Sequence, residues 1–243
     1  MAVTDYRAQK QAAYVLHIRP YRNTSALVDF FTLEEGKVSA VCQGLRRPNA
    51  KKRGVLQPFV PVQIAWQGRN ELKTLTAAES TGHNGILTGK ALFCAMYINE
   101  LIHKLLQPFE PHPKLFVYYQ YLLNELIKGE MEKPLRVFEH QLLNELGYAV
   151  DCRDLNAQTL YFFDPNKLSF HAVSHVDQRN MARYFYGWQA QAIVAEDFTD
   201  PQVLRAAKRF MRLRIDAQLD GRQLNSRNLM MRKRSLPVEG EHD

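Results

Sequence analysis

The stretch "SALVDFFTLEEGKVSAVC", residues 25–42, decides the fold. Apolar residues alternate with polar ones on both sides of "LEEGK", where Gly36 is the expected turn residue. A period of two places alternate side chains on one face of a strand, so the stretch predicts a β-hairpin with one apolar face. The residues of that face are Ala26, Val28 and Phe30 before the turn and Val38, Ala40 and Cys42 after it.

Three further strand patterns flank this hairpin. They are "AAYVLHI" (12–18), "VPVQIAWQ" (60–67) and "ELKTLTAAES" (71–80). In the first we expect Tyr14, Leu16 and Ile18 to share one face, and in the second Pro61 favours an edge or a strand start. Five short strands in about 80 residues predict a small closed or nearly closed barrel, for which the OB-fold is the natural candidate.

After Gly89 the apolar period becomes helical. Two wide apolar stripes follow, and Gly129 and Gly147 stand where their helices should end. Residues 151–176 are irregular, with a possible small hairpin at "LYFF", and two more helices are expected at about 177–193 and 201–219. The stripes comprise Leu115, Phe116, Tyr119, Leu122, Leu123 and Leu126, then Leu135, Phe138, Leu142, Leu143 and Leu146.

These patterns predict an α+β protein of two domains. We expect an OB-fold barrel over 1–80, followed by an all-α domain over 81–243 with an irregular or hairpin insertion at 151–176.

The charge balance favours partners with negative surfaces. The formal net charge is +7 and the pI is near 9.3, which suits nucleic acid, an acidic peptide or anionic lipid. No apolar run approaches the eighteen or so residues that span a bilayer, and the first residues lack the apolar stretch of a signal peptide. We therefore expect a cytoplasmic protein without a membrane partner. Cys42, Cys94 and Cys152 are far apart and suggest neither disulfides nor a zinc site.

Two basic features are candidates for binding an anion. The loop "GLRRPNAKKRG" (44–54) holds five basic residues and no acid, so it is either mobile and solvated or built for an anion. The helix "LRAAKRFMRLR" (204–214) carries a basic stripe that could equally be a solvated surface. Their basic residues are Arg46, Arg47, Lys51, Lys52 and Arg53 in the loop, and Arg205, Lys208, Arg209 and Arg212 in the helix.

The sequence shows no catalytic constellation. "GILTGKA" (85–91) has three residues between its glycines where a phosphate-binding loop needs four, and it lacks the Ser or Thr that binds magnesium. His171 and His175 have no further ligand at metal spacing. We expect no enzyme activity, no cofactor and no metal.

The chain resembles the RecO family of bacterial recombination mediators and DNA repair proteins over most of its length. The matching pieces include "VLHIRPYRNTSALVDFFTLEEGKV", "LQPFVPV", "YINELIHKLL", "LRVFEHQLLNELGY", "LRAAKRFMR" and "LDGRQLNSRNL". The resemblance implies binding of single- and double-stranded DNA, annealing of complementary strands, and loading of recombinase with RecR, at the nucleoid. Many members carry a four-cysteine zinc motif after the helix at 135–147, whereas only Cys152 falls in that region here, as in the zinc-less branch.

The resemblance also implies sites. DNA would be bound by Arg19 together with the basic residues of the loop and of the helix. The acidic tail of single-stranded-DNA-binding protein would dock at Arg136, with Leu115, Phe116 and Leu143 as candidates for an apolar pocket, whereas Arg136 could also be a solvated surface residue. Two rival functions remain: an RNA-binding OB protein of translation or RNA processing, and a hydrolase with a dispersed site.

Overall fold

A computed structural model describes residues 10–82 and 85–229. Most of the amino-terminal segment used for the signal-peptide prediction lies outside the described residues. The chain divides into two compact units, 1–116 with 223–243 (the barrel unit) and 117–222 (the helical unit).

The barrel unit contains a closed five-stranded barrel. Its order is β1-β2-β3-β5-β4, with β4 pairing back to β1, and every pairing is antiparallel except β3 with β5. This is the predicted OB-fold, and the prediction is confirmed. The strands are β1 (Gln11–Tyr21), β2 (Ser25–Thr32), β3 (Gly36–Cys42), β4 (Pro61–Gln67) and β5 (Lys73–Ser80).

The predicted hairpin forms with the expected face inward, since all six of its alternating apolar residues are at most 1% exposed. The predicted face of β1 is wrong. The register of β1 against β2 shifts between Val15 and His17, so a bulge at Leu16 interrupts the alternation. Before the bulge, Val15 faces the barrel core and Tyr14 packs against the ring of Phe116 at 5.5 Å, and after it Ile18 is exposed.

Helix α2 (Gly89–Leu105) packs on β1 at this bulge. The buried Asn99 donates its Nδ2 hydrogens to the carbonyls of Val15 and Leu16, each at 3.2 Å. The side chain thus satisfies carbonyls that an irregular strand leaves without a regular partner.

Helix α3 (Pro113–Ile127) begins in the barrel unit, and α4 (Glu132–Glu145), α5 (Gly187–Val194) and α6 (Pro201–Leu219) lie in the helical unit. The predicted apolar stripes of α3 and α4 are buried, except that Leu146 is half-buried. Gly129 and Gly147 follow α3 and α4 with φ of 91° and 84°, the left-handed conformation that ends a helix.

A small antiparallel sheet of order β7-β6-β8 occupies the predicted irregular segment and continues beyond it. Its strands are β6 (Leu160–Asp164), β7 (Ser169–Ala172) and β8 (Tyr184–Tyr186). The prediction of one helix over 177–193 is wrong. A 3-10 helix (Gln178–Arg183), β8 and α5 replace it, because pairing of β8 with β6 buries Phe185 among other phenylalanine rings.

Candidate nucleic-acid interface

The basic loop joins β3 to β4 and ends in a short helix, α1 (Lys52–Val55). Two leucines fix it to the barrel core, since Leu45 and Leu56 are 4% and 1% exposed. The Arg46 amide donates to the Thr24 carbonyl at 2.9 Å, which joins the loop to the β1–β2 turn. The basic loop is therefore held at both ends by buried leucines.

Two clefts lie along this loop. The first encloses about 230 Å³ and brings together Arg19, Arg46 and Arg53 beside an apolar wall that includes Ile18 and Leu56. The second encloses about 480 Å³ and is lined by Gln43 and residues of the loop. Its basic members are Arg47, Lys51 and Lys52. All six basic residues predicted for the barrel thus line one cleft or the other.

Their charges are not neutralised within the described part of the chain. None of the six forms a salt bridge with a described Asp or Glu, and all except the half-buried Lys52 are exposed. The Arg53 guanidinium donates to the carbonyls of Leu45 and Arg47 at 3.4 and 3.3 Å, which fixes its position without removing its charge. Unpaired cations on a fixed scaffold are suited to binding an anion.

The β1–β2 turn adds two residues that the sequence analysis did not include. Arg22 has a left-handed φ of 51°, and its guanidinium lies 5.2 Å from the ring of the half-buried Tyr21. Its carbonyl accepts a hydrogen bond from Arg46 Nη1 at 3.3 Å, so this turn adjoins the loop. The sequence signal was the turn composition of "RPYRNTS" (19–25), with two arginines beside the strand end.

Three large aromatic residues of the barrel strands provide no surface on which bases could stack. Tyr14, Phe31 and Trp66 are 3%, 0% and 3% exposed. They belong to the interior of the barrel unit.

The predicted basic stripe of α6 is exposed but partly neutralised. Lys208 pairs with Glu132 at 3.0 Å, and Arg212 lies 3.6 Å from Asp216. Arg209 lies 5.1 Å from the ring of Phe185, and burial lowers the pKa of its guanidinium. Arg205 is exposed and has no carboxylate partner among the residues described, so this stripe offers less free charge than the loop.

The residues proposed for peptide docking are all buried. Arg136 is 6% exposed and forms a 2.9 Å ion pair with Glu139, so it is not a solvated surface residue. Leu143 is fully buried in the helical unit. Leu115 and Phe116 are buried in the barrel unit, where Phe116 packs against Tyr14 and Phe31.

The three cysteines are buried thiols, and burial raises the pKa of Cys152 to about 12. Residues 10–82 and 85–229 contain no group of three His, Cys, Asp or Glu side chains placed to hold a metal ion. Within the same ranges no helix is both long and apolar enough to cross a membrane.

Two family models match the chain in succession. The model for the N-terminal part of recombination protein O covers residues 7–83, and that for its C-terminal part covers 87–228. The chain belongs to the RecO family. The boundary between the two RecO family matches lies between residues 83 and 87, after the last barrel strand and before α2.

Curated relatives agree with this assignment, and each bears the name DNA repair protein RecO. The protein of Pseudomonas aeruginosa (strain LESB58) is 40% identical over 95% of this chain and 98% of its own length. That of Nitrosococcus oceani is 38% identical over 95% and 96%. That of Burkholderia pseudomallei (strain 1710b) is 35% identical over 96% and 86%.

Proposed function

We propose that the chain is a recombination mediator in DNA repair that binds single- and double-stranded DNA and anneals complementary strands without nucleotide hydrolysis. The observation that carries the proposal is the set of six unneutralised cations lining two clefts on an OB barrel. Membership of the RecO family and the name of its relatives support the choice of DNA as the polymer.

The mechanism is physical. Two DNA strands repel each other through their phosphates, and an anchored row of guanidinium and ammonium groups screens that repulsion while releasing counterions. Because these groups contact phosphates and sugars, they leave base edges free to pair, which annealing requires. We assign phosphate binding first to the barrel, residues 1–80, and secondarily to the α6 stripe.

Protein partners form the second part of the proposal. We propose that the domain at 81–243 receives the acidic tail of single-stranded-DNA-binding protein, and that RecR acts with the chain to load recombinase at the nucleoid. A guanidinium can bind a carboxylate bidentately, and Arg136 already forms a 2.9 Å ion pair with a carboxylate of its own chain, Glu139. We propose that the peptide carboxylate replaces Glu139 as the partner of Arg136.

The test is annealing of two complementary oligonucleotides that are precoated with single-stranded-DNA-binding protein, in the absence of ATP. The parent is compared with a variant carrying Arg46→Ala, Arg47→Ala, Lys51→Ala, Lys52→Ala and Arg53→Ala. A control variant removes five exposed charges from the helical unit by alanine substitution of Lys128, Lys133, Arg153, Lys167 and Arg222.

We expect annealing by the parent and by the control variant, and its loss in the loop variant. Equal annealing by all three would transfer the DNA contact to the α6 stripe. A parent that fails to anneal DNA but binds a matched RNA strand would replace the proposal with the RNA-binding function.

A further inference from the structure

One face of the small sheet in the helical unit carries a row of rings that the core does not use. Phe162 in β6 is the Cα partner of His171 in β7 and of Tyr184 in β8. Directly paired residues point to the same side of a sheet, so these three side chains form one row across all three strands. The residue after Phe162, Phe163, is fully buried on the opposite face.

The opposite face has its own aromatic core. Phe163, Phe170 and Phe185 surround Phe210 of α6, with ring centroids 4.6, 5.9 and 5.4 Å from it. This cluster buries the inner side of the sheet completely enough to hold it on α6. The outer row is therefore not needed to hold the sheet in place.

The outer row is open and held in a defined geometry. His171 is exposed, and Phe162 and Tyr184 are half-buried, with their rings 5.6 Å apart at 66°. The Tyr184 hydroxyl accepts a hydrogen bond from the Asp177 amide at 3.0 Å, and His171 Nε2 lies 3.0 Å from Ser169 Oγ. Each end of the row is thus oriented by a polar contact.

Positive charge adjoins the row. The Arg183 guanidinium lies 5.7 Å from the centroid of the Phe162 ring, and the exposed Arg179 belongs to the same 3-10 helix. The carboxylate of Asp164 accepts hydrogen bonds from the backbone amides of Asn166 and Lys167 at 3.0 and 3.4 Å, within the turn that follows β6. Half-buried rings beside guanidinium groups that have no carboxylate partner among the described residues match the chemistry of unpaired nucleotides, whose bases stack while their phosphates are neutralised.

We propose that the row His171–Phe162–Tyr184 is a stacking surface for the bases of single-stranded DNA. This inference rests on the proposed function, and it assigns to the small sheet the stacking that Tyr14, Phe31 and Trp66 do not supply from the barrel. Duplex DNA keeps its bases stacked on one another, so the row discriminates single strands from duplexes. The basic loop, in contrast, contacts phosphates of both.

The test removes rings without removing charge. A Phe162→Leu/Tyr184→Leu variant is compared with the parent and with a Tyr118→Leu/Tyr121→Leu control, which removes two rings from α3 in the same unit. Binding is measured with an oligothymidine strand, a matched duplex, and a single strand containing 2-aminopurine, whose fluorescence is quenched by stacking.

We expect the single-strand affinity of the sheet variant to fall about tenfold, in line with the loss of one or two base–ring contacts. Quenching of 2-aminopurine should be lost, while duplex affinity and the salt dependence of binding stay at the parent values. The control should behave as the parent does.

Unchanged single-strand affinity, or an equal loss on duplex and single strand, would overturn the stacking assignment while leaving DNA binding by the loop intact. A parent that binds neither DNA would overturn the proposed function itself. If the double variant melts, His171→Ala on the exposed edge strand replaces it, with an expected loss of about threefold on single strands alone.

Discussion

The backbone amide of Arg46 donates to the carbonyl of Thr24 at 2.9 Å, and this bond holds the basic loop against the β1–β2 turn. The side chain of the same residue reaches the Arg22 carbonyl at 3.3 Å. One residue thus both positions the loop and contributes charge to the first cleft.

Arg46→Ala and Arg46→Pro separate these two roles. Both remove the charge, but only proline removes the amide donor, whose hydrogen bond is worth about 1 kcal/mol net. We expect the proline variant to bind DNA several-fold more weakly than the alanine variant and to unfold at lower urea concentration. Titration of labelled single-stranded DNA and urea denaturation measure the two effects, and identical affinities would show that the loop does not need this anchor.

The five-alanine loop variant should change how DNA binding depends on salt. Each phosphate contact that is lost flattens the plot of log affinity against log salt by about 0.7 to 0.9. The charge-matched control in the helical unit should keep the parent slope. Fluorescence anisotropy at several salt concentrations gives the slopes, and a loop variant with the parent slope would mean that the loop touches no phosphate.

The buried Arg136–Glu139 pair allows the peptide proposal to be tested on a folded protein. Arg136→Ala leaves Glu139 without its ionic partner in the interior and should lower the free energy of unfolding by about 3 kcal/mol. The double change Arg136→Met/Glu139→Leu removes both charges together and should stay within about 1 kcal/mol of the parent.

The double variant should nevertheless lose binding of an acidic peptide that ends in an aromatic residue, because the guanidinium is gone. Isothermal calorimetry with the parent as reference measures this. Retention of peptide affinity in the folded double variant would move the docking site away from Arg136.

His140 gives the helical unit an acid-sensitive stability. Burial, reinforced by the nearby Arg214 charge, lowers the pKa of His140 from 6.5 to about 4. Below pH 6.5 His140 is protonated in the unfolded chain but stays neutral in the folded chain. The free energy of unfolding therefore falls as the pH drops from about 6.5 to about 4. Between pH 7 and pH 4.5 the titration of His140 should lower the free energy of unfolding by on the order of 2 to 3 kcal/mol.

His140→Gln should lack that part of the pH dependence. The difference between parent and variant in urea unfolding at pH 7 and pH 4.5 isolates it from the titration of carboxylates. Parallel pH dependences of the two proteins would show that His140 titrates normally in the folded chain.

The barrel could be predicted because the apolar residues of the hairpin over 25–42 recur with a period of two, and the face that this period defines is the one buried in the barrel. The buried face of β1 could not be predicted, because a bulge changes the register of a strand without changing its local composition. The three-residue strand Tyr184–Tyr186 could not be predicted either. Its pairing with β6 is a tertiary interaction that overrides the short helical pattern of the local sequence.

The basic loop was readable because five cations without an acid are unusual in any fold. Arg22 was missed because its place beside the loop depends on the hairpin turn. The burial of Arg136 contradicts the expectation for a lone Arg on a helix, and only the position of Glu139 one turn away hinted at a pair.

The bond from Asn99 to the bulge has a consequence for dissecting the molecule. Asn99 lies within the C-terminal family match, yet the carbonyls that it satisfies belong to the N-terminal one. A fragment ending at residue 83 would leave these carbonyls to water and would expose the rings of Tyr14 and Phe31, which pack against Phe116, so it should be marginally stable and prone to self-association. The smallest autonomous barrel therefore extends through α2 to Phe116 and includes residues 223–229, where the amides of Asn225 and Ser226 donate to Glu100 of α2. A chain in which a linker replaces residues 117–222 is the one we expect to remain monomeric and bind DNA.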